Sequence, residues 1–312
     1  MNKRRSFLQA AGFLLAGVFL APSLTSCSSN TEAVQEDAAV ETVTAVNDAE
    51  EELGIQLYTL REQIGQEGIE SVIAKVADAG YKKVETYGYS KENGFWGLSP
   101  QQFSELLKKH NLTSPSGHYG FDQIIAGGND EILTSYIDAA KAIGQTYITV
   151  PYLGDNLRQS PEDYRKVAQA INQAAKRVNE EGLKLAYHNH DFEFQNYDST
   201  TGYQILLEET DPELVKMELD LYWAYRAGKD PVVLMQENPG RFVMWHVKDM
   251  DKNDPKLNTE IGSGSIDYKS LFEKAAADVE HIYVEQENFA PNMDPYQSIR
   301  QSQNYVTETL LQ

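Results

Sequence analysis

Histidines and carboxylates recur at the ends of four apolar runs in the second half of this chain. Tyr187-His188-Asn189-His190 closes one run and Glu218-Leu219-Asp220 the next; His246-Val247-Lys248-Asp249 and Glu285-Gln286-Glu287 close the other two. Side chains two apart on a strand face the same way, so His188 goes with His190 and His246 with Lys248. Imidazole and carboxylate gathered at one place suit one divalent ion of the Mn, Zn, Co, Fe or Mg group. The single cysteine, Cys27, excludes a cysteine-based zinc site and an intramolecular disulfide. An ion so held polarises a carbonyl and stabilises the enediolate left when a neighbouring proton is taken. Asp249 and Glu287 are read more simply, as carboxylates at a strand end that cap the following segment.

Such side chains must be brought together by the backbone, and the sequence alternates short β-branched runs with longer helical patterns. The runs are 54–58, 83–86, 113–118, 146–151, 183–189, 215–220, 242–247 and 281–285. Between them, Ser99-Pro100, Ser160-Pro161, Asp230-Pro231 and Asp294-Pro295 each place a capping residue before a proline suited to the first helical position. Val167, Ile171, Ala174 and Val178 then form one apolar helix face. Eight strand–helix units in about 260 residues predict a single-domain (β/α)8 TIM barrel, with its site at the C-terminal ends of the strands. An open doubly wound sheet is the rival architecture.

The 312 residues carry 27 basic and 47 acidic side chains, a net charge of -20 that offers no footprint for a nucleic-acid backbone or an anionic lipid surface. Residues 1–27 read as an export signal: Lys3, Arg4 and Arg5, an apolar run from Phe13 to Ala21, then Leu24-Thr25-Ser26-Cys27. That ending resembles a lipobox, with Cys27 as the lipidated residue, and Arg4-Arg5 resembles a twin-arginine signal. Residues 28–52 hold eight acids, no base and no aromatic, the composition of a disordered tether. The expected protein is therefore an exported lipoprotein, held at a membrane only by its anchor, with residues 53–312 as the folded domain.

YHNHDFEF (187–194), ELDLYWAYRAGKDP (218–231), RFVMWHVKDMD (241–251), YVEQE (283–287), GIQLYTLRE (54–62) and SGH (116–118) resemble the xylose isomerase-like TIM-barrel superfamily, across the whole folded domain. The resemblance implies a metal held by His188, Asp220, His246 and Glu285. Relatives carry a Glu at the first of these positions, so the strand-five ligand stands open between His188 and His190. It also implies a sugar isomerase or epimerase, with β-elimination on a keto-sugar or 3-keto-glycoside as the alternative. The epimerases use two carboxylates on opposite faces of the substrate, and a histidine at position 188 breaks that pair. The acid or base then comes from Glu285, His190, His118, Lys248 or Glu193. Lys248 either stabilises an oxyanion or forms a salt bridge to Asp249 or Glu218. A neutral sugar or glycoside is the expected partner, stacked on Tyr58, Tyr89, Trp96, Tyr222 or Trp223. A non-catalytic sugar-binding lipoprotein is the reading from another class.

Overall fold

Each apolar run becomes a short strand in the computed structural model, which describes residues 52–127 and 130–312. The strands are β1 (Gly54–Gln56), β2 (Lys83–Glu85), β3 (Ser116–His118), β4 (Tyr147–Val150), β5 (Lys184–His188), β6 (Val215–Asp220), β7 (Phe242–Val247) and β8 (His281–Val284). All neighbours pair in parallel, in the order β2-β1-β8-β7-β6-β5-β4-β3. Isolated bridges from Lys83 to Thr113 and from Thr86 to Gly117 join the two ends, so the sheet closes on itself. The (β/α)8 barrel is thus the observed architecture and the open sheet is not. The strands β1 and β5 stop earlier than their apolar runs because the chain turns off at the mouth, where Leu57–Leu60 is already a 3-10 helix, and β3 starts later than its run, at Ser116. The signal, Cys27 and nearly all of the acidic tether lie outside the described residues.

The predicted caps form. Ser99 and Gln102 make a reciprocal capping box, and Ser160, Asp230 and Asp294 each accept from the first turn of the helix they open. The helices bury their apolar faces against the outside of the barrel, where Ile55, Val84, Ile148, Leu185, Leu219 and Trp245 are essentially inaccessible.

A small separate core cluster of Tyr147, Ala186, Val243, Met244 and Tyr283 forms the floor, with Tyr147, Ala186, Met244 and Tyr283 on the inward faces of their strands. Gly54 is required there: a side chain at this position would meet the Tyr283 ring at 2.4 Å. Above that floor the interior turns polar, because alternation along each strand brings Glu85, His118, His188, Glu218, Asp220 and His246 into the barrel's polar interior.

Candidate active site

The polar interior is built in two layers. The lower one joins β2, β3, β5, β6 and β7. His118 Nε2 lies 2.8 Å from Glu218 Oε2 and 3.2 Å from Glu85 Oε2. His246 Nε2 lies 2.6 Å from Glu85 Oε2 and 3.3 Å from the same Glu218 oxygen. His188 Nδ1 approaches that oxygen too, at 3.1 Å. Glu85 is fixed from behind by Gln56 Nε2 at 2.7 Å and Ser116 Oγ at 2.5 Å. Burial pushes the Glu85 carboxyl up, and the neighbouring Glu218 charge pushes it the same way, against His118 and His246. Burial would raise Glu218 as well, but His246 and His118 hold it ionised, well below the usual carboxylate range. These same carboxylates raise His118 and His246 against burial, whereas His188 is lowered to about 3 by burial and by His246.

The upper layer is centred on Lys248. Its ammonium, completely buried, lies 2.9 Å from Asp220 Oδ2, 2.8 Å from Glu285 Oε2 and 2.5 Å from Glu287 Oε1. Burial opposes the charge, yet these three carboxylates hold Lys248 well above the ordinary lysine value. In return Lys248, with His246, holds Glu285 ionised despite burial. His246 spans the layers, its Nδ1 being 3.0 Å from Glu285 Oε2.

Over both layers opens a cavity of about 430 Å³ lined by Tyr58, Tyr87, Tyr152, His118, His188, His190, Glu285 and Glu287. His190 stacks on Phe192 with ring centroids 5.3 Å apart, and its buried Nδ1 has no hydrogen-bond partner. Burial and the nearby His188 keep it neutral, with a pKa well below the usual histidine value.

The structure therefore gathers His118, His188, His190, Asp220, His246, Lys248 and Glu285 at one mouth. It does not bring Glu193 there. That carboxylate accepts from Tyr187 Oη and from the His190 backbone N–H, both at 2.8 Å, and so holds the strand-five turn in shape. Burial raises it to about 8. Lys248 bonds neither Asp249 nor Glu218, the partners expected from sequence. Asp249 instead accepts from the backbone N–H groups of Met250, Gly262, Gly264 and Ile266, which it thereby orders. Of the aromatic residues expected to stack on a sugar, Tyr58 lines the cavity; Tyr222 and Trp223 lie over Lys248, and Tyr89 and Trp96 pack against the core. Glu85 and Gln56 were not anticipated. Glu218 was visible two residues before Asp220, on the same strand face, which is the signal that could have found it.

Among the described residues, two groups of buried side chains gather closely enough to hold an ion: His118, His188, Glu218 and His246; and Asp220, His246 and Glu285. The set implied by the resemblance draws on the second, with His188 Nε2 3.8 Å from Asp220 Oδ2. In that set the cation's place is taken by Lys248. A divalent ion about 2.1 Å from both carboxylate oxygens would lie no more than about 5 Å from the ammonium. Like charges there repel by roughly 7 kcal/mol at an effective dielectric near 20. A metal on those four residues would have to share Asp220 and Glu285 with the Lys248 ammonium.

Comparison with known proteins agrees with the fold. Residues 73–308 match the family model described as xylose isomerase-like TIM barrel. A sugar phosphate isomerase/epimerase structure from Parabacteroides distasonis superposes with a TM-score of 0.70 at 23% identity, covering 89% of this chain and 99% of that one. A D-allulose 3-epimerase from Methylomonas sp. gives 0.64 at 16% identity, covering 82% and 96%. Among curated proteins, the inosose dehydratase of Clostridium tetani is 25% identical over 47% of this chain, and the match spans about half (55%) of that relative's length. This chain belongs to the xylose isomerase-like TIM-barrel family.

Proposed function

We propose that this member of the xylose isomerase-like family is a lyase of the dehydratase type: it takes the proton beside the carbonyl of a neutral keto-sugar and expels the β-substituent. The observation that carries the reading is the uncommitted Nδ1 of His190 at the cavity wall. A two-sided epimerase needs a second group able to exchange protons from the opposite face. Glu285 is ill suited to that, because its Oε2 is already tied to Lys248 and His246, whereas His190 Nδ1 has no partner. Glu285 and Glu287 act instead as acceptors that orient substrate hydroxyls. His190 is the base, and the imidazolium formed on it returns the proton to the departing oxygen. The inosose dehydratase relatives support the same reaction class.

A neutral substrate follows from the lining. Two carboxylates and no Lys or Arg face the cavity, and the amides of the 262–266 loop are already taken by Asp249. A phosphate would face those two carboxylates and find no free amide nest on that loop. Tyr58, Tyr87 and Tyr152 offer apolar faces for a sugar ring or an aglycone. Incubation with ketoses, inososes and 3-keto-glycosides in deuterated water tests the reading. Elimination gives an unsaturated sugar plus water or a free aglycone, and His190→Ala removes it. A product of unchanged formula apart from exchanged deuterium would make the protein an epimerase or isomerase instead, and tight binding of these ligands without turnover would make it a binding protein.

The address is a separate proposal, supported by the lipobox-like Leu24–Cys27. Cys27→Ser is expected to move the protein from the membrane fraction to the soluble one with turnover unchanged; unchanged membrane association refutes lipidation at Cys27.

A further inference from the structure

We propose that this chain binds a transition-metal ion one layer below the family site, on His118 Nε2, His188 Nδ1, His246 Nε2 and Glu218. The geometry of the lower layer carries the inference. Three imidazole nitrogens converge on one oxygen, Glu218 Oε2, at 2.8, 3.1 and 3.3 Å. A carboxylate oxygen has two lone pairs, so it cannot accept well from all three. Its twin, Glu218 Oε1, is buried with no partner. One oxygen is overloaded and the other idle, an arrangement that an ion at the centre resolves because every nitrogen then donates its own lone pair. The four ligand atoms lie within 4.8 Å of one another. Tetrahedral ligands about 2.0–2.1 Å from zinc are about 3.3 Å apart, close to the three nitrogen–oxygen edges already present.

The surroundings fit such a centre. Glu85, anchored by Gln56 and Ser116, stands 2.6 Å from His246 Nε2 and 3.2 Å from His118 Nε2, as a fifth ligand or a near neighbour. With the ion on its Nε2 side, His246 donates Nδ1–H to Glu285 at 3.0 Å, the outer carboxylate that fixes a ligand histidine's tautomer. Glu285 and Asp220, ligands in the family's scheme, here become outer partners, and Lys248 keeps its place among them. His118 and His188 line the cavity, so the ion has a path in and an open side toward substrate. Three imidazoles and a carboxylate select Zn, Co, Fe or Mn rather than Mg or Ca. Binding releases the protons now shared in the layer.

The test reads metal and not turnover, so it is independent of the reaction proposed above. The full chain is loaded with zinc or cobalt, freed of excess and assayed for bound metal. One equivalent is expected. His118→Ala and Glu218→Gln are expected to weaken binding at least tenfold, while Asp220→Asn and Glu285→Gln retain a full equivalent. X-ray absorption on the unmodified zinc form needs no variant to fold and counts imidazoles: three are expected, against two for the family set. No metal at micromolar excess, two imidazoles, or loss in Asp220→Asn and Glu285→Gln with retention in His118→Ala overturns the proposal.

Discussion

The two polar layers of this barrel bury similar carboxylates and neutralise them in opposite ways. In the upper layer Asp220, Glu285 and Glu287 share one ammonium, that of Lys248, which stays charged throughout the ordinary pH range. In the lower layer Glu85 and Glu218 face imidazoles, whose charge depends on protons. A fixed cation makes the upper layer a rigid set of acceptors, suited to orienting hydroxyls. A titrating set is suited to exchanging its protons for a metal. Glu193 is the control between them. It is buried with neither an ammonium nor an imidazole on its carboxylate, and its pKa rises to about 8. Burial alone therefore does not decide a carboxylate's state here; the partner does.

Removing the fixed cation is the strongest way to break this contrast. Lys248→Met leaves three carboxylates around an apolar side chain, and losing one partner of a buried ion pair costs about 3–5 kcal/mol. The unfolding midpoint is expected to fall by roughly 10 °C, since 1 kcal/mol is worth about 2–4 °C in a domain of this size. Adding Glu285→Gln is expected to recover part of the loss, because one stranded charge is gone. A fall of less than about 2 °C in the single variant, measured by calorimetry, would mean the ammonium does not hold the upper layer.

Glu193 gives a smaller, pH-dependent effect. Its carboxyl is raised in the fold from 4.5 to about 8, so between these values the folded state keeps a proton that the unfolded state has released. Stability then falls with rising pH, by at most about 1.4 kcal/mol per unit for a single group. The contribution is fully present below about 4.5 and lost above about 8. Glu193→Gln mimics the protonated form and is expected to flatten that part of the curve, bringing relative stabilisation at pH 8–9. Parallel urea midpoints for variant and parent from pH 5 to 9 would show that Glu193 is ionised throughout.

Most of the barrel was legible because strand and helix periods are local. The runs at 215–220 and 242–247 match β6 and β7 residue for residue, and all four Ser-Pro or Asp-Pro caps form. The mouth was legible in part, since alternation along β5 to β8 puts His188, Asp220, His246 and Glu285 on inward faces. Partner choice was not. Lys248 bonds Asp220, Glu285 and Glu287, contributed by neighbouring strands and the segment after β8, and nothing local distinguishes these from Asp249 one residue away. Glu85 was missed for the same reason. It closes a three-residue strand, and it acquires a role only when closure of the barrel brings β2 within reach of β7, 161 residues further on.

The finest test asks how the lower layer holds its charge before any metal binds. Ser116 donates to Glu85 Oε1 at 2.5 Å, and Thr149 Oγ1 lies 2.9 Å from the same hydroxyl. If Glu85 is protonated, the direction in which burial and the Glu218 charge push it, Ser116→Ala removes a hydrogen bond between neutral groups, worth about 0.5–1.5 kcal/mol. If Glu85 were ionised, the lost bond would be charge-assisted and worth about 1.5–3 kcal/mol. The size of this one substitution thus reports the charge of a carboxylate that no solvent probe reaches. A loss near 1 kcal/mol in metal-free protein at neutral pH, unchanged in a Glu85→Gln background that mimics the protonated carboxyl, is the expected outcome. A loss above 2 kcal/mol that falls to about 1 kcal/mol in that background would place a second full negative charge beside Glu218. The lower layer would then need both His118 and His246 as cations, and the contrast with the upper layer would rest on the number of charges rather than on shared protons.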